Sequence, residues 1–261
     1  MKIKPKKKLG QNFLVDKNIL NKIIDSSNIT NNDYVLEIGP GTGNLTNMIL
    51  EKKPKKIIVV EKDKNLVPLL SDRFNEKIEI VNSDILDINE KKIFKKKCKV
   101  FGNLPYNVST KILSKWILNL DTSAWFYEMY LMFQKEVADR ILSKNNNKNY
   151  GRLSILSQWR LDCEKIFNIK PTSFFPIPKV ESTLIKFSPK KNYIKIKNAK
   201  KLEHVTKVFF NQRRKKIKKP IKFLFNNSHD FEEKNKINLN LRPQNLPPEF
   251  YLNIAKLLED D

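Results

Sequence analysis

Two cysteines, two histidines and six glycines are all that this 261-residue chain holds of those types. Cys98 and Cys163 stand far apart without metal-ligand spacing, so neither a disulfide framework nor a zinc motif is expected, and a reducing, cytoplasmic setting suits them. His204 and His229 lie outside every motif described below, so histidine acid–base chemistry and a bound metal are not expected. No run of 18 apolar residues occurs and no apolar segment follows the basic start, which argues against a membrane span and a secretory signal. Acidic residues are few, 28 against 51 basic ones, and the net charge of +23 calls for a partner that carries phosphates. Arginine is scarcer still, at seven of those 51, in a chain crowded with Lys, Asn and Ile. Much of the lysine therefore reads as solvated surface. Against that background the pair in Asn211-Gln-Arg-Arg-Lys-Lys-Ile-Lys-Lys219 stands out, because a guanidinium fork meets a phosphate through two bonds. Such contacts set affinity and position, not sequence choice. Arg213, Arg214 and Lys215 are the candidate nucleic-acid contacts, with Lys2 to Lys8 a second basic cluster.

What glycine there is falls where it matters. Tyr34 to Ile38 reads as a buried strand, glycines follow at 39, 41 and 43, and Leu45, Met48 and Ile49 then mark one face of a helix. Glycine lets the backbone turn sharply and approach a ligand closely, and the helix start adds a positive dipole end. The spacing is Gly-x-Gly-x-Gly with Glu37 two positions ahead, not the Gly-x-Gly-x-x-Gly of dinucleotide folds. An adenosyl cofactor with an amino-acid tail fits such a tight loop better than a pyrophosphate. Glu61 closes the apolar run Ile57 to Val60, where a carboxylate can accept both hydroxyls of a ribose. Asp84 follows Ile78 to Val81, at the end of a third strand, placed to accept from an adenine amino group. Singly, each acid reads as a solvated charge at a strand end. In series they put polar groups at the carboxyl ends of successive strands, the edge where open parallel sheets bind ligands.

Asn103-Leu104-Pro105-Tyr106, after the strand Lys99 to Phe101, completes the series. The exocyclic amine of a base is a poor nucleophile, because its lone pair is delocalised into the ring. Two acceptors on its N–H bonds, the Asn103 side-chain oxygen and a carbonyl near Leu104 or Pro105, draw the nitrogen toward tetrahedral. Pro105 stiffens the turn and Tyr106 offers a flat face to a base. Together with the glycine loop, this points to methyl transfer onto a base amine.

Further strands are expected at Trp125 to Phe133, Lys165 to Ile169 and Thr183 to Phe187, with a turn at Asp121 to Ser123 and a helix at Arg152 to Leu161. Ser188-Pro-Lys-Lys191 marks a boundary between a domain of residues 1–189 and a helical one of 190–261. Helical spacing there covers Leu202 to Phe209, Ile221 to Phe225 and Phe250 to Leu258. In Phe174-Phe-Pro-Ile-Pro-Lys-Val-Glu-Ser182 two prolines hold an extended segment behind an aromatic.

Gly10-Gln-Asn-Phe-Leu14, Glu37 to Gly43, Asn103 to Tyr106, Phe174 to Ser182 and Asn211 to Lys215 occur in that order, with Leu241-Arg-Pro-Gln-Asn-Leu246 near the end. The set resembles the ribosomal RNA adenine dimethyltransferase family, above all its bacterial small-subunit branch. The resemblance implies an α/β fold: a Rossmann-like S-adenosylmethionine-binding domain with a seven-stranded sheet, then a small all-helical domain that contacts RNA. It implies that Asn12, Leu14, Gly39, Gly41, Glu61, Asp84 and Asn103 bind the cofactor. Asn103 and the carbonyls of Leu104 and Pro105 would hold the target amine, with Tyr106 and Phe174 packing on the base. The implied substrate is two adjacent adenosines in the 3′-terminal hairpin of small-subunit (16S) rRNA, on an assembling 30S particle, each dimethylated by direct displacement. A monomer without metal or membrane attachment is expected. Methylation of large-subunit rRNA, and RNA binding without chemistry as an assembly factor, are the alternatives. A nicotinamide dehydrogenase is disfavoured by the glycine spacing.

Overall fold

The computed structural model describes residues 4–120, 123–225, 231–233 and 237–260. Lys2 of the basic cluster at residues 2–8, Asp121 and Thr122 of the expected turn, and His229 lie outside them. The chain forms two compact units. One comprises Met1–Trp116, Leu120–Ala138 and Asp162–Pro189; the other comprises Ile117–Asn119, Asp139–Leu161 and Lys190–Asp261.

The first unit begins with a two-residue strand β1 (Phe13–Leu14) and helix α1 (Lys17–Ser27). There follow β2 (Tyr34–Ile38), α2 (Asn44–Glu51), β3 (Lys56–Glu61), α3 (Val67–Phe74), β4 (Glu79–Asn82), β5 (Cys98–Gly102), α4 (Ser109–Leu118), β6 (Phe126–Gln134) and α5 (Lys135–Leu142). After α6 (Arg152–Arg160) come β7 (Leu161–Ile169), β8 (Phe174–Phe175) and β9 (Ser182–Pro189). Seven strands make one sheet in the order β4-β3-β2-β5-β6-β9-β7, and β1 pairs with β8 in a separate ribbon. From β4 through to β6 every pairing is parallel; β9 runs antiparallel to β6. The sheet has the seven strands expected and is mixed.

The inner strands β2, β3 and β5 are buried along nearly all their length, as parallel strands covered on both faces are. Val35, Ile57, Val59 and Phe101 on the sheet pack with Leu20, Ile23 and Ile24 of α1, Leu45 and Ile49 of α2, and Leu70 and Phe74 of α3. Ile23 is wholly buried, and its truncation to Ala costs about 2–5 kcal/mol by the usual cavity penalty. Helix α1 starts where Asp16 accepts the N–H groups of Asn18 and Ile19, and it stops at Asn28 in the left-handed region. Lys99 of β5 is buried; its Nζ donates to the carbonyls of Ser27 and Asn28, both at 2.8 Å, and lies 3.4 Å from Asp33. One cation thereby ties a central strand to the end of α1.

Because they pair in parallel, β2, β3, β4 and β5 have their carboxyl ends at one edge. In the second unit α6, α7 (Ala199–Phe210), α8 (Lys218–Leu224) and α9 (Pro248–Asp260) supply the regular structure. Phe209 of α7 meets the rings of Phe250 and Tyr251 of α9 edge-on, with centroids 5.6 and 5.3 Å away. Among the described residues no helix is long and apolar enough to cross a membrane.

Candidate active site

At the carboxyl edge of β2, β3, β4 and β5 opens a cleft with about 1100 Å³ of empty space, part of it open to solvent. The sequence-predicted residues Asn12, Leu14, Gly39, Gly41, Glu61, Asp84, Asn103 and Pro105 all line it, together with Glu37 and Met132. The loop after β2 is tied down by the Gly39 N–H on the Val60 carbonyl, 2.9 Å away. Gly41 has φ +60°, and a Cβ there would stand 2.7 Å from the Phe13 ring, so the loop can lie under β1 only as glycine.

Glu61 hangs between two backbone donors: its Oε2 accepts the Gly41 N–H at 3.2 Å and its Oε1 the Asp63 N–H at 2.7 Å. Burial raises its pKa above the ordinary range, and those two N–H groups offset part of the rise. Glu37 is buried one strand away, accepting the Thr46 hydroxyl at 2.7 Å. Burial pushes it up to about 7, the Thr46 bond opposes that, and the Glu61 charge adds to it. Asp84 behaves in the opposite way. Burial acts to raise it, but Lys62 at 2.6 Å and the Leu86 N–H at 3.0 Å outweigh burial and hold it below the usual carboxylate range.

Asn103 Nδ2 donates to the Asn12 carbonyl at 2.7 Å. That bond fixes the flip of the amide and leaves Oδ1 as the acceptor. The Pro105 carbonyl accepts the N–H groups of Val108 and Ser109, at 3.1 and 3.0 Å, and so starts α4. Leu104 turns its side chain into the interior, 1% exposed, where it and Leu131 both crowd Gly102. Tyr106 is half-buried and stands outside the cleft lining, its hydroxyl 2.6 Å from Ser182 Oγ.

Phe174 is not brought to the cleft. It pairs with Leu14 across the β1–β8 ribbon and is 1% exposed in the core, whereas Phe175, opposite Phe13, is 57% exposed. In the second unit Arg213 is engaged: its NH2 donates to the carbonyls of Asn147, at 3.3 Å, and Lys148. Arg214 and Lys215 are exposed.

Sequence reasoning missed the polar work of Gln11, Lys62, Asp63 and Ser182. Gln11 sits inside a motif that has no chemistry of its own, and Asp63, two residues past Glu61, reads as one more surface acid. Among the described residues no three metal-ligating side chains gather.

Residues 2–260 match the family described as ribosomal RNA adenine dimethylase. A protein of Pelagibacter ubique (strain HTCC1062) named ribosomal RNA small subunit methyltransferase A is 56% identical over 260 residues, covering 100% of this chain and 99% of its own. One of the same name from Ehrlichia ruminantium (strain Gardel) is 41% identical over 259 residues, covering 98% of each chain. Among solved structures, a dimethyladenosine transferase from Plasmodium falciparum superposes with a TM-score of 0.75 at 27% identity, over 93% of this chain and 95% of that one. The 23S rRNA methyltransferase ErmE superposes with a TM-score of 0.69 over 95% and 100%; at 20% identity that likeness speaks for the fold alone.

Proposed function

The chain belongs to the ribosomal RNA adenine dimethylase family, and from that premise we propose that it dimethylates N6 of two adjacent adenosines near the 3′ end of small-subunit rRNA. It is an S-adenosylmethionine-dependent rRNA methyltransferase with a Rossmann-like catalytic fold. The substrate in this reading is an assembling 30S particle, met by a cytoplasmic monomer whose residues 190–261, Arg214 and Lys215 among them, contact RNA. Large-subunit methylation is not favoured, because the relatives matched over nearly their full length at 56% and 41% identity carry the small-subunit name.

The cleft fits S-adenosylmethionine. Gly39 and Gly41 offer bare backbone where a Cβ at residue 41 would strike Phe13. Glu61, fixed by two N–H groups, keeps lone pairs for the ribose hydroxyls, and Asp84 lies on the same wall for the adenine amine. Asn12 and Leu14 close the cleft from the amino-terminal side. When bound, the cofactor supplies a methyl group on a positively charged sulfur.

The observation that carries the chemistry is the Asn103 amide, whose nitrogen donates to Asn12 and whose oxygen has no partner among the described residues. That oxygen accepts one N–H of the adenine amine. The Leu104 carbonyl is the second acceptor, since the Pro105 carbonyl serves α4. With both N–H bonds held, the nitrogen lone pair is withdrawn from the ring and becomes nucleophilic. Positioning does the rest, and no strong base is required because the alkylated amine is acidic and sheds its proton to water. Tyr106, braced by Ser182, gives the base a flat wall.

The test is transfer of labelled methyl from S-adenosylmethionine to undermethylated small subunits, with large subunits in parallel, followed by nucleoside analysis. Dimethyladenosine confined to the small subunit is expected. Label on the large subunit, or tight binding without label, would overturn the reading.

A further inference from the structure

The amino-terminal segment Lys6–Leu14 crosses the cleft as a strap held at both sides. Toward β5, the Asn12 carbonyl receives the Asn103 amide, and Gly10 lies so close to Pro105 and Asn107 that a Cβ would meet them at 3.4 and 3.2 Å. Toward β3, everything converges on one carboxylate. Asp63 Oδ1 accepts Lys6 Nζ at 2.6 Å, and Oδ2 accepts Gln11 Nε2 at 2.8 Å. Gln11 closes the triangle, its Oε1 accepting the Lys6 N–H at 2.7 Å. Asp63 is 4% exposed, and its own N–H holds Glu61 at 2.7 Å.

A carboxylate this buried is stable as an anion only if its lone pairs are filled, and Asp63 accepts three hydrogen bonds, two from the strap and one from the Asn65 N–H of its own turn. We propose that Asp63 is a positioning residue of the methyl-transfer reaction. By clasping Lys6 and Gln11 it fixes the strap, so that the Asn12 carbonyl sets the Asn103 amide with its oxygen toward the substrate amine. The inference rests on the amine-holding role of Asn103. The same acid steadies Glu61 through its backbone, so the clasp joins the cofactor side of the cleft to the substrate side.

The test compares wild type with Asp63→Asn, Lys6→Met, Gln11→Leu and the Lys6→Met/Asp63→Asn double variant. Three readouts are taken: amide exchange of residues 6–14 without ligand, affinity for S-adenosylhomocysteine by calorimetry, and kcat and KM on undermethylated small subunits. Asp63→Asn is expected to speed strap exchange about tenfold, because a local opening is made easier while the sheet is untouched. It is expected to lower kcat about tenfold or more with little change in KM for the particle, as misplacement of a catalytic group does. Lys6→Met added to Asp63→Asn is expected to cost less than about twofold further, since both remove one shared interaction. Unaltered strap exchange, unaltered kcat, or full additivity of the two substitutions would overturn the proposal. Should Asp63→Asn fail to fold, Gln11→Leu, which leaves the acid paired with Lys6, must still speed exchange and slow turnover. If wild type itself methylates no small subunit, the functional reading falls. Exchange and S-adenosylhomocysteine affinity then still decide whether the clasp exists.

Discussion

At Asn103 the nitrogen of the amide is committed and the oxygen is not. Asn103→Ala is therefore expected to cut turnover by about 100-fold, the scale of losing one oriented acceptor in a dry site, while cofactor affinity moves only a few-fold. Single-turnover rates and calorimetry check this, and near-normal turnover would end the amine-holding role. Glu37 makes a second residue-scale prediction. Its pKa is pushed up to about 7 in the folded protein from an ordinary value of 4.5. Between those values the folded chain keeps a proton that the unfolded chain has lost. Stability contributed by the protonated form is thus whole below 4.5 and drains away as pH rises through about 7. Glu37→Gln cannot ionise and lacks that drain. Its stability relative to wild type is expected to rise from pH 5 to pH 8 by on the order of 3 kcal/mol, measured by denaturant unfolding at both pH values. An equal gap at the two pH values would mean that Glu37 titrates as an ordinary carboxylate.

At the scale of elements, the glycine loop gives a graded test. Ala at residue 41 meets both a left-handed φ of +60° and the Phe13 ring at 2.7 Å; Ala at residue 39 meets the φ of +66° but nothing nearer than the Asn103 carbonyl at 4.0 Å. The backbone term alone costs roughly 1–2 kcal/mol. Gly41→Ala is expected to exceed that and to weaken cofactor binding more than Gly39→Ala does, read by thermal melts and calorimetry; equal effects would show that β1 yields freely. The glycine loop, Glu61, Asp84 and Asn103 were legible in the sequence because each follows an apolar run at a strand end, and local pattern suffices to place it. The β1–β8 ribbon was not legible. Two-residue strands carry no periodicity, and a slip of one residue would exchange the inward and outward faces of Phe174 and Phe175. The clasp at Asp63 was hidden for a related reason: its partners stand 57 and 52 residues away, beyond any local pattern. The antiparallel strand β9 likewise reads as apolar whichever way it runs.

For the whole molecule, net charge of +23 sets a long-range attraction to polyanions such as RNA, within which the two arginines proposed as RNA contacts differ, Arg213 being bonded to backbone carbonyls and Arg214 exposed. Arg214→Glu is expected to weaken binding to small subunits and to flatten the salt dependence by about one phosphate contact, with the melting temperature unchanged. Arg213→Glu is expected to lower the melting temperature as well, because it releases the carbonyls of Asn147 and Lys148. A salt slope unaltered in Arg214→Glu would return that residue to the solvated surface. The ribbon between β1 and β8 has one more consequence, which concerns the order of events during synthesis. Every residue lining the cleft lies between Lys8 and Met132, so the walls are complete once half the chain has been made. The strap's last anchors are not: Phe13 waits for Phe175, and Asp16 waits for the hydroxyl of Ser173, 157 residues downstream. A nascent chain released at β6 would own a cofactor cleft with an unfastened cover, and only translation through β8 fastens it.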